Sequence, residues 1–295
     1  MSIVLVRRNK LGRGSCNGIA AALIAMGTEC RVVRNWLPEE LNSIAAEDLA
    51  VRWGCTSTLP PTAAPPLNSA GAIHWCSDKR AGRLAMQEAG VPVPETWTVE
   101  ALVNARDDGG FNEWMHEGSY VLRPPQHAQG RHLYAGDMRE VIRAYNANPV
   151  YNGGYISRLI PKVAEYRFFV MHGRVVWCAR KTPGNPDDVA WNVARGGRFD
   201  NVRWDDWPLD AAKACIQAAL VSGTDFCGVD VMIDAEGRSY VLEVNSAPSQ
   251  TSPYRQQCVA RALEYVADND RAVIPLPDNV KTYKGVRHLC LKETT

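Results

Sequence analysis

Residues 228–249, GVDVMIDAEGRSYVLEVNSAPS, place oxygen-bearing side chains within two runs that are otherwise apolar. Apolar residues alternate on either side of the turn-forming sequence DAEG, which predicts a β-hairpin with strands over 229–233 and 239–245. Because side chains alternate between the faces of a strand, Glu243 and Asn245 point to the same side. The hairpin therefore offers a carboxylate and an amide oxygen to one patch.

The register of this hairpin decides whether a second carboxylate joins them. Pairing Asp234 with Ser239 across a four-residue loop sets Asp230 opposite Glu243, with their Cβ atoms roughly 5 Å apart. Facing carboxylates repel unless one is protonated or a cation lies between them. A Mg²⁺ ion, bound by one or two carboxylates together with substrate phosphates, is usual at nucleotide sites. Taken alone, the hairpin also allows a merely solvated face for Asp230, Glu243 and Asn245.

Length and composition indicate an ordinary globular protein of two or three subdomains. The chain has 295 residues, 46% hydrophobic and 22% charged, and a formal net charge of +1, which indicates neither a nucleic-acid nor a membrane partner. Nine cysteines without CxxC spacing favour a reduced compartment, so we expect a cytoplasmic protein. The oligomeric state stays open, with a homodimer as one alternative.

The elements that must position the hairpin begin with a βα unit. A strand over 3–6 precedes a polar loop and an Ala-rich helix over 19–26. The GxGxxxG pattern in that loop is not the dinucleotide fingerprint and favours a plain connection. The Pro-rich residues 59–68 predict a loop near a domain boundary. The other predicted elements are helices over 79–89, 137–146, 209–221 and 252–268 and strands over 120–123, 155–160, 165–171 and 174–181.

Five motifs follow one another along residues 78–249: DKxxxxLxxxxxGVPVPxT, VLRPPQHAQG, EYRFFV, NVARGG and DV…EVNSAP. In this order and spacing they resemble the ATP-grasp superfamily, and most closely its RimK-like carboxylate–amine ligases. The compact form with EYRFFV is also similar to ATP-grasp proteins of bacteriophages. The resemblance implies an α+β ATP-grasp fold: an N-terminal α/β pre-ATP-grasp subdomain over 1–77, a central lid over 78–155, and a C-terminal antiparallel sheet with helices over 156–295.

The resemblance also implies the residues that bind ATP. Lys79, in the first turn of a helix, matches a phosphate-binding lysine, although such a lysine taken alone is usually just solvated. Arg123 stands where the family normally has a second phosphate lysine. Gln129 and Gly130 lie in the loop expected to cover the triphosphate.

Adenine is expected at a hinge over residues 157–160. There the backbone groups of Arg158 and Leu159 would contact the base, and Arg158 replaces a glutamate that is common in the family.

The remaining site residues implied by the resemblance are those that contact the reacting groups. Arg167 matches the arginine that contacts the γ-phosphate and the acyl-phosphate, and an arginine in an apolar strand needs an anionic partner. An ion pair with Glu165, two residues away on the same face, is the alternative. Lys181 matches a residue that contacts phosphate, and Asn192 matches one that contacts metal or phosphate.

The metal triad implied by the resemblance is Asp230, Glu243 and Asn245, which would hold Mg²⁺, with Mn²⁺ as an alternative. The expected function is ATP-dependent amide bond formation through an acyl-phosphate, with a small acid and an amine, an amino acid or peptide, as substrates. A nucleotide-binding regulatory module without turnover and an ATP-grasp phosphotransferase are the alternatives.

Overall fold

A computed structural model describes residues 2–8, 12–102, 118–125, 132–185, 188–191 and 196–269. The described residues form three sheets flanked by helices. The strands are β1 (Ile3–Arg7), β2 (Cys30–Arg34), β3 (Leu49–Trp53), β4 (Thr96–Thr98), β5 (Tyr120–Arg123), β6 (Tyr134–Gly136), β7 (Tyr155–Arg158), β8 (Lys162–Met171), β9 (Arg174–Thr182), β10 (Arg198–Val202), β11 (Phe226–Asp234) and β12 (Ser239–Asn245).

Seven α-helices are described, together with short 3-10 turns at Pro149–Tyr151 and Trp204–Asp206. The α-helices are α1 (Arg13–Ala25), α2 (Pro38–Leu41), α3 (Ala70–Ser77), α4 (Lys79–Glu88), α5 (Met138–Ala147), α6 (Leu209–Ser222) and α7 (Pro253–Asp268). Within the described ranges, none of them combines the length and apolar composition needed to cross a bilayer.

The first sheet is parallel, in the order β2-β1-β3, and packs against α1. The predicted βα unit is confirmed, but the predicted start of its helix is wrong, because α1 begins at Arg13. Gly14 and Gly18 therefore lie inside the helix rather than in a loop. A Cβ on Gly18 would collide with the side chain of Gln256 in α7, so this glycine allows the two helices to approach closely.

The second sheet, which we call the lid sheet, is antiparallel in the order β4-β7-β5-β6. The helix α5 covers it and begins with a capping box, in which Asp137 and Glu140 each accept a hydrogen bond from the other's backbone N–H. Its apolar residues form a core of their own that includes Tyr120, Val141 and Ile156.

The third sheet is antiparallel in the order β10-β9-β8-β11-β12, and α6 packs against one of its faces. The other face packs against α7 and the parallel sheet. There Trp53 stacks on Phe226, with ring centroids 5.1 Å apart, and Phe226 stacks on Phe169 at 5.9 Å. The first and third sheets thus share one hydrophobic core.

The predicted hairpin is confirmed, but the pairing predicted at its turn is wrong by one residue. Ser239 lies opposite Ile233 rather than Asp234. A β-bulge at Asp230 and Val231 then leaves Leu242 as the extra residue of β12, and this brings Asp230 opposite Glu243. The expected pair of facing acids forms because the bulge compensates for the tighter turn.

Candidate active site

One face of the third sheet changes from apolar to charged along its strands. Phe169 and Phe226 lie in the core shared with the parallel sheet, and on the same face Arg167 and Asp230 follow further along β8 and β11. Arg167 and Asp230 are direct neighbours in the strand ladder. Because every second side chain of a strand points to the same face, the apolar residues of the shared core and the charged residues of the site lie on one surface of the sheet.

Asp230 lies at the centre of the charged region and is almost fully buried. Its Oδ1 accepts a hydrogen bond from Nε of Arg167 at 2.5 Å, and its Oδ2 accepts from Nη2 of Arg167 at 2.8 Å. Nζ of Lys181 donates to the same Oδ2 at 2.9 Å. Arg167 thus pairs with the acid directly across the ladder rather than with Glu165, the partner considered in the alternative prediction.

Glu165 is the second buried acid of this network. It accepts hydrogen bonds from Nζ of Lys162 at 2.5 Å and from Nζ of Lys181. Lys162 also lies over the ring of Trp191, with its Nζ 4.5 Å from the ring centroid. Lys181 therefore bridges Glu165 and Asp230, which fixes its ammonium group at the sheet surface.

Burial and charge compete in setting the ionisation of these groups. Burial by itself raises the pKa of Asp230, but the charges of Arg167 and Lys181 outweigh it and hold that pKa well below the usual range. Burial lowers the pKa of Lys181, yet Asp230 and Glu165 leave it above the usual value. The buried pair is therefore ionised at neutral pH.

Glu243, Asn245 and Lys79 form the neighbouring part of the site. Nζ of Lys79, the first residue of α4, lies 3.1 Å from Oδ1 of Asn245 and 3.5 Å from Oε2 of Glu243. Nδ2 of Asn245 donates to Oε1 of Glu243 at 2.9 Å. Burial and the charge of Asp230 raise the pKa of Glu243, but Lys79, the hydrogen bond from Asn245 and Lys181 together outweigh them and lower that pKa. The phosphate lysine and the metal ligands predicted from the sequence thus lie together.

The donor set suits a hard divalent cation. In the described part of the chain no group of three His, Cys, Asp or Glu residues gathers around a metal position, so an ion here would be held by two carboxylates and the amide oxygen of Asn245. Carboxylate and amide oxygens are ligands that Mg²⁺ accepts. Both oxygens of Asp230 already accept hydrogen bonds from Arg167 and Lys181, so these two cations would compete with an ion for Asp230.

Arg123 lies on the lid sheet with its side chain on the same face as Tyr155 and Ser157. Its Nη1 donates to Oγ of Ser157 at 2.6 Å, and its guanidinium lies 5.8 Å from the ring centroid of Tyr155. Arg80 of α4 ties the two parts together, because its Nη1 donates to the carbonyl oxygen of Gly153 at 2.8 Å. Arg123 is thereby held on a lid that is fastened to the helix carrying Lys79.

Arg158 ends β7 and Leu159 follows it, and the N–H groups of both residues bond within the protein. N–H of Arg158 donates to Glu95 at 2.9 Å and N–H of Leu159 to Ser119 at 2.8 Å. A hydrogen bond to a base would therefore come from a carbonyl oxygen or from the next residue. The side chain of Arg158 lines a cavity of about 440 Å³ together with Glu95 and Tyr240.

Three predicted site residues, Gln129, Gly130 and Asn192, lie outside the described residues. Conversely, Phe199 was not among the residues predicted from the sequence. Its ring lies under the guanidinium of Arg167 at 4.8 Å from the centroid and near Nζ of Lys181 at 5.7 Å. Nothing in its sequence context marks it, because β10 comes next to these residues only through the folding of the sheet.

The fold and site can now be compared with known proteins. Residues 137–266 match the family model of the RimK-like ATP-grasp domain. A probable alpha-L-glutamate ligase from Picosynechococcus is 28% identical over 188 residues, 61% of this chain and 59% of that protein. A D-alanine–D-alanine ligase from Stutzerimonas stutzeri is 27% identical over 220 residues, 69% of this chain and 64% of that protein. The match thus covers less than two thirds of each relative's length.

Among solved structures, the ATP-grasp ligase PsnB, complexed with a minimal precursor, Mg and ADP, superposes with a TM-score of 0.61. The superposition covers 90% of this chain and 97% of that one, at 17% identity. The fold is therefore that of the ATP-grasp proteins. Within that class, the part of the chain over residues 137–266 is similar to the RimK-like ATP-grasp domain.

Proposed function

We propose that this protein is an ATP-dependent carboxylate–amine ligase that joins an acid to an amine through an acyl-phosphate. The observation that carries the proposal is the set of cations, Lys79, Arg167 and Lys181, around the facing acids Asp230 and Glu243 on one sheet surface. Such a surface can bind a polyphosphate and a divalent ion together. The ligase names of the relatives favour amide formation over other ATP chemistry.

The proposed reaction has two steps. A carboxylate oxygen of the acid attacks the γ-phosphorus of ATP, the bond to the β-phosphate oxygen breaks, and ADP leaves. The amine nitrogen then attacks the carbonyl carbon, inorganic phosphate leaves with the electron pair of the C–O bond, and the nitrogen loses a proton. Arg167 and Lys181 would stabilise the transferring phosphoryl group, chiefly by electrostatics and positioning.

Glu243, Asn245 and Asp230 would hold Mg²⁺, which neutralises charge on the phosphate oxygens when bound; we expect Mn²⁺ to substitute for it. Lys79 and Arg123 would orient the nonreacting phosphates, and Gln129, Gly130 and Asn192 remain predicted contacts. When ATP is bound, Arg167 can exchange its bonds to Asp230 for bonds to phosphate. The acid then becomes available to the ion.

The relatives indicate the substrate class. The similar proteins include an alpha-L-glutamate ligase, a D-alanine–D-alanine ligase and a ligase complexed with a precursor. We therefore propose an amino acid or peptide as the acid and an amino acid as the amine, in the cytoplasm.

Hydroxylamine trapping tests the proposal. The protein is incubated with Mg-ATP, pools of amino acids and peptides, and hydroxylamine in place of the amine. A ligase releases ADP and converts the correct acid into a hydroxamate, which mass spectrometry identifies. Release of AMP and pyrophosphate would contradict the acyl-phosphate mechanism.

The same assay separates the two alternatives. A phosphotransferase releases ADP and leaves a stable phosphoester without hydroxamate. A regulatory module binds ATP, measured by calorimetry, and releases no product with any pool.

A further inference from the structure

One buried cation of α4 takes no part in the ion pairs described above. Arg83 is 3% exposed, and its Nη2 donates to the carbonyl oxygen of Leu242, the extra residue of the β-bulge. Its Nε and Nη1 are buried and have no hydrogen-bond partner among the described residues. Removing a charged group from water without a counter-charge is expensive, so an unpaired buried guanidinium needs an explanation.

Other cationic residues surround Arg83. Arg83 lies one helical turn after Lys79 on the same face of α4. Burial lowers the pKa of Arg83 to about 10, Tyr155 opposes this shift, Arg123 adds to it, and Glu243 opposes it. Arg123 and Tyr155 on the lid sheet and Glu243 on the hairpin therefore act electrostatically on this guanidinium. It belongs to a helix that packs against both the lid sheet and the hairpin, the two surfaces that carry the phosphate-binding candidates.

The burial of Nε and Nη1 of Arg83 also limits how a ligand can reach these two donors. Protein atoms cover Nε and Nη1 from solvent. On the helix side, α4 packs against β4 and β12. A ligand that reaches these donors must therefore displace the protein atoms that cover them, and a planar guanidinium with two open N–H groups suits phosphate oxygens.

We propose that Arg83 is an additional phosphate-binding residue, which donates through Nε and Nη1 to the phosphate chain of the bound nucleotide. This inference rests on the proposed function, because it requires ATP to bind between the lid sheet and the hairpin. Without ATP the guanidinium is an unpaired buried charge. The same side chain thus lowers the stability of the free protein and raises its affinity for ATP.

Because the proposal predicts opposite effects on stability and on ATP affinity, a single substitution can test it. Arg83→Met keeps a long side chain and removes the charge. We expect Arg83→Met to raise the melting temperature of the nucleotide-free protein and to weaken Mg-ATP binding by about tenfold to a hundredfold, the effect of losing charge-assisted hydrogen bonds. Adenosine, which lacks phosphates, should bind both proteins equally. Arg83→Lys should retain part of the ATP affinity.

Arg52 provides a matched control. It is also buried, at 9% exposed, but its Nη1 donates to the carbonyl oxygens of Cys55 at 3.2 Å and Ser57 at 2.6 Å. Arg52→Met should therefore lower the melting temperature and leave ATP binding unchanged.

Each variant is studied by calorimetry with Mg-ATP and with adenosine, and by thermal unfolding without ligand. A lower melting temperature of Arg83→Met with unchanged ATP affinity would show a structural role and overturn the inference. An equal loss of adenosine and ATP affinity would place Arg83 at the base and overturn the phosphate contact. If the unmodified protein binds no ATP, the proposed function itself fails, and this inference fails with it.

Discussion

At the scale of single residues, Asp230 is the acid that neutralises the charges of Arg167 and Lys181. It pairs with Arg167 and Lys181 in a setting where all three side chains are largely buried. Removing one partner from a buried ion pair leaves uncompensated charge, which costs more than the intact pair contributes. We expect Asp230→Asn to lower the free energy of unfolding by about 3–5 kcal/mol, measured by urea denaturation.

The control for this variant is Asp200→Asn. Asp200 pairs with Arg198 at 3.1 Å, and both side chains are well exposed. An exposed ion pair contributes about 0–1 kcal/mol, so this change should have little effect. Equal losses of stability in the two variants would mean that burial of the Asp230 pair has no special importance.

The same carboxylate predicts a pH dependence of stability. Because the pKa of Asp230 is lower in the folded protein, the unfolded chain binds its proton first as pH falls. Its contribution is therefore fully present above the unfolded pKa of about 3.9 and is lost as pH falls toward the folded pKa. Urea unfolding at a series of pH values from about 6 to about 3 should show a shallower acid decline for Asp230→Asn than for the unmodified protein. Parallel curves would contradict the assignment.

Glu243 is the residue whose change should affect metal use without affecting the fold. Glu243→Gln keeps the shape and the contact with Asn245, but it removes the charge that faces Lys79 and the proposed ion. We expect the Mg²⁺ concentration needed for half-maximal ATP turnover to rise at least about tenfold, because Mg²⁺ binding depends on carboxylate charge.

Glu236→Gln, in the exposed turn of the same hairpin, is the matched control and should leave the Mg²⁺ requirement unchanged. The metal assignment would be refuted by an unchanged Mg²⁺ titration of Glu243→Gln.

At the scale of elements, local patterns predicted the hairpin, β5 and α4, at whose start the side chain of Asp78 accepts a hydrogen bond from N–H of Ala81. Each depends on signals within a few residues, such as alternation or a capping side chain. The strands β4, β6 and β10 were not predicted from the sequence, and neither were the two outer strands of the parallel sheet, β2 and β3. Their ladder partner is the distant β1, and parallel pairing leaves no turn signal between neighbours.

The candidate site shows the same limit. Facing acids could be predicted, but the β-bulge that aligns them could not, because a bulge depends on what packs around the strand. The signal for Arg83 was present, since it lies four residues after Lys79 on one helix face. Its burial, and so its importance, depends on the lid sheet and could not be read from that spacing.

A substitution at Gly228 tests how closely β11 must approach the segment that follows β12. A Cβ at this position would lie 2.5 Å from Cβ of Pro248, in the segment that follows Asn245. We expect Gly228→Ala to displace that segment and to lower the free energy of unfolding by about 1–3 kcal/mol, the usual range for overpacking.

Gly14→Ala is the control for Gly228→Ala, because no atom lies within 4 Å of a Cβ built at Gly14, which is inside α1. That change should stabilise the protein by about 0.5–1 kcal/mol through helix propensity. Urea denaturation measures both. A neutral Gly228→Ala would show that the segment at Pro248 can move without cost.

At the scale of the whole molecule, the hydrophobic clusters differ in what they join. The core around Trp53, Phe169 and Phe226 includes residues of the parallel sheet, the third sheet and α7. These parts should unfold together, since each lacks a complete core without the others. The core of the lid sheet, which includes Ile156, is a separate cluster. The lid sheet should therefore be able to open while the rest stays folded.

Two core substitutions distinguish these units. Phe226→Ala, at the shared core, should lower the main unfolding transition by about 3–5 kcal/mol. Ile156→Ala should leave that transition nearly unchanged and speed hydrogen exchange of the β5 and β7 amides, because its cavity weakens the lid core alone. It should also weaken ATP binding, since β5 carries Arg123 and a lid that opens more often holds that guanidinium in place for less of the time. Unfolding followed by circular dichroism, together with hydrogen exchange by mass spectrometry, measures both effects. If Ile156→Ala instead lowers the main transition as far as Phe226→Ala does, the lid sheet is not an independent unit, and its closure over ATP would require motion of the whole molecule.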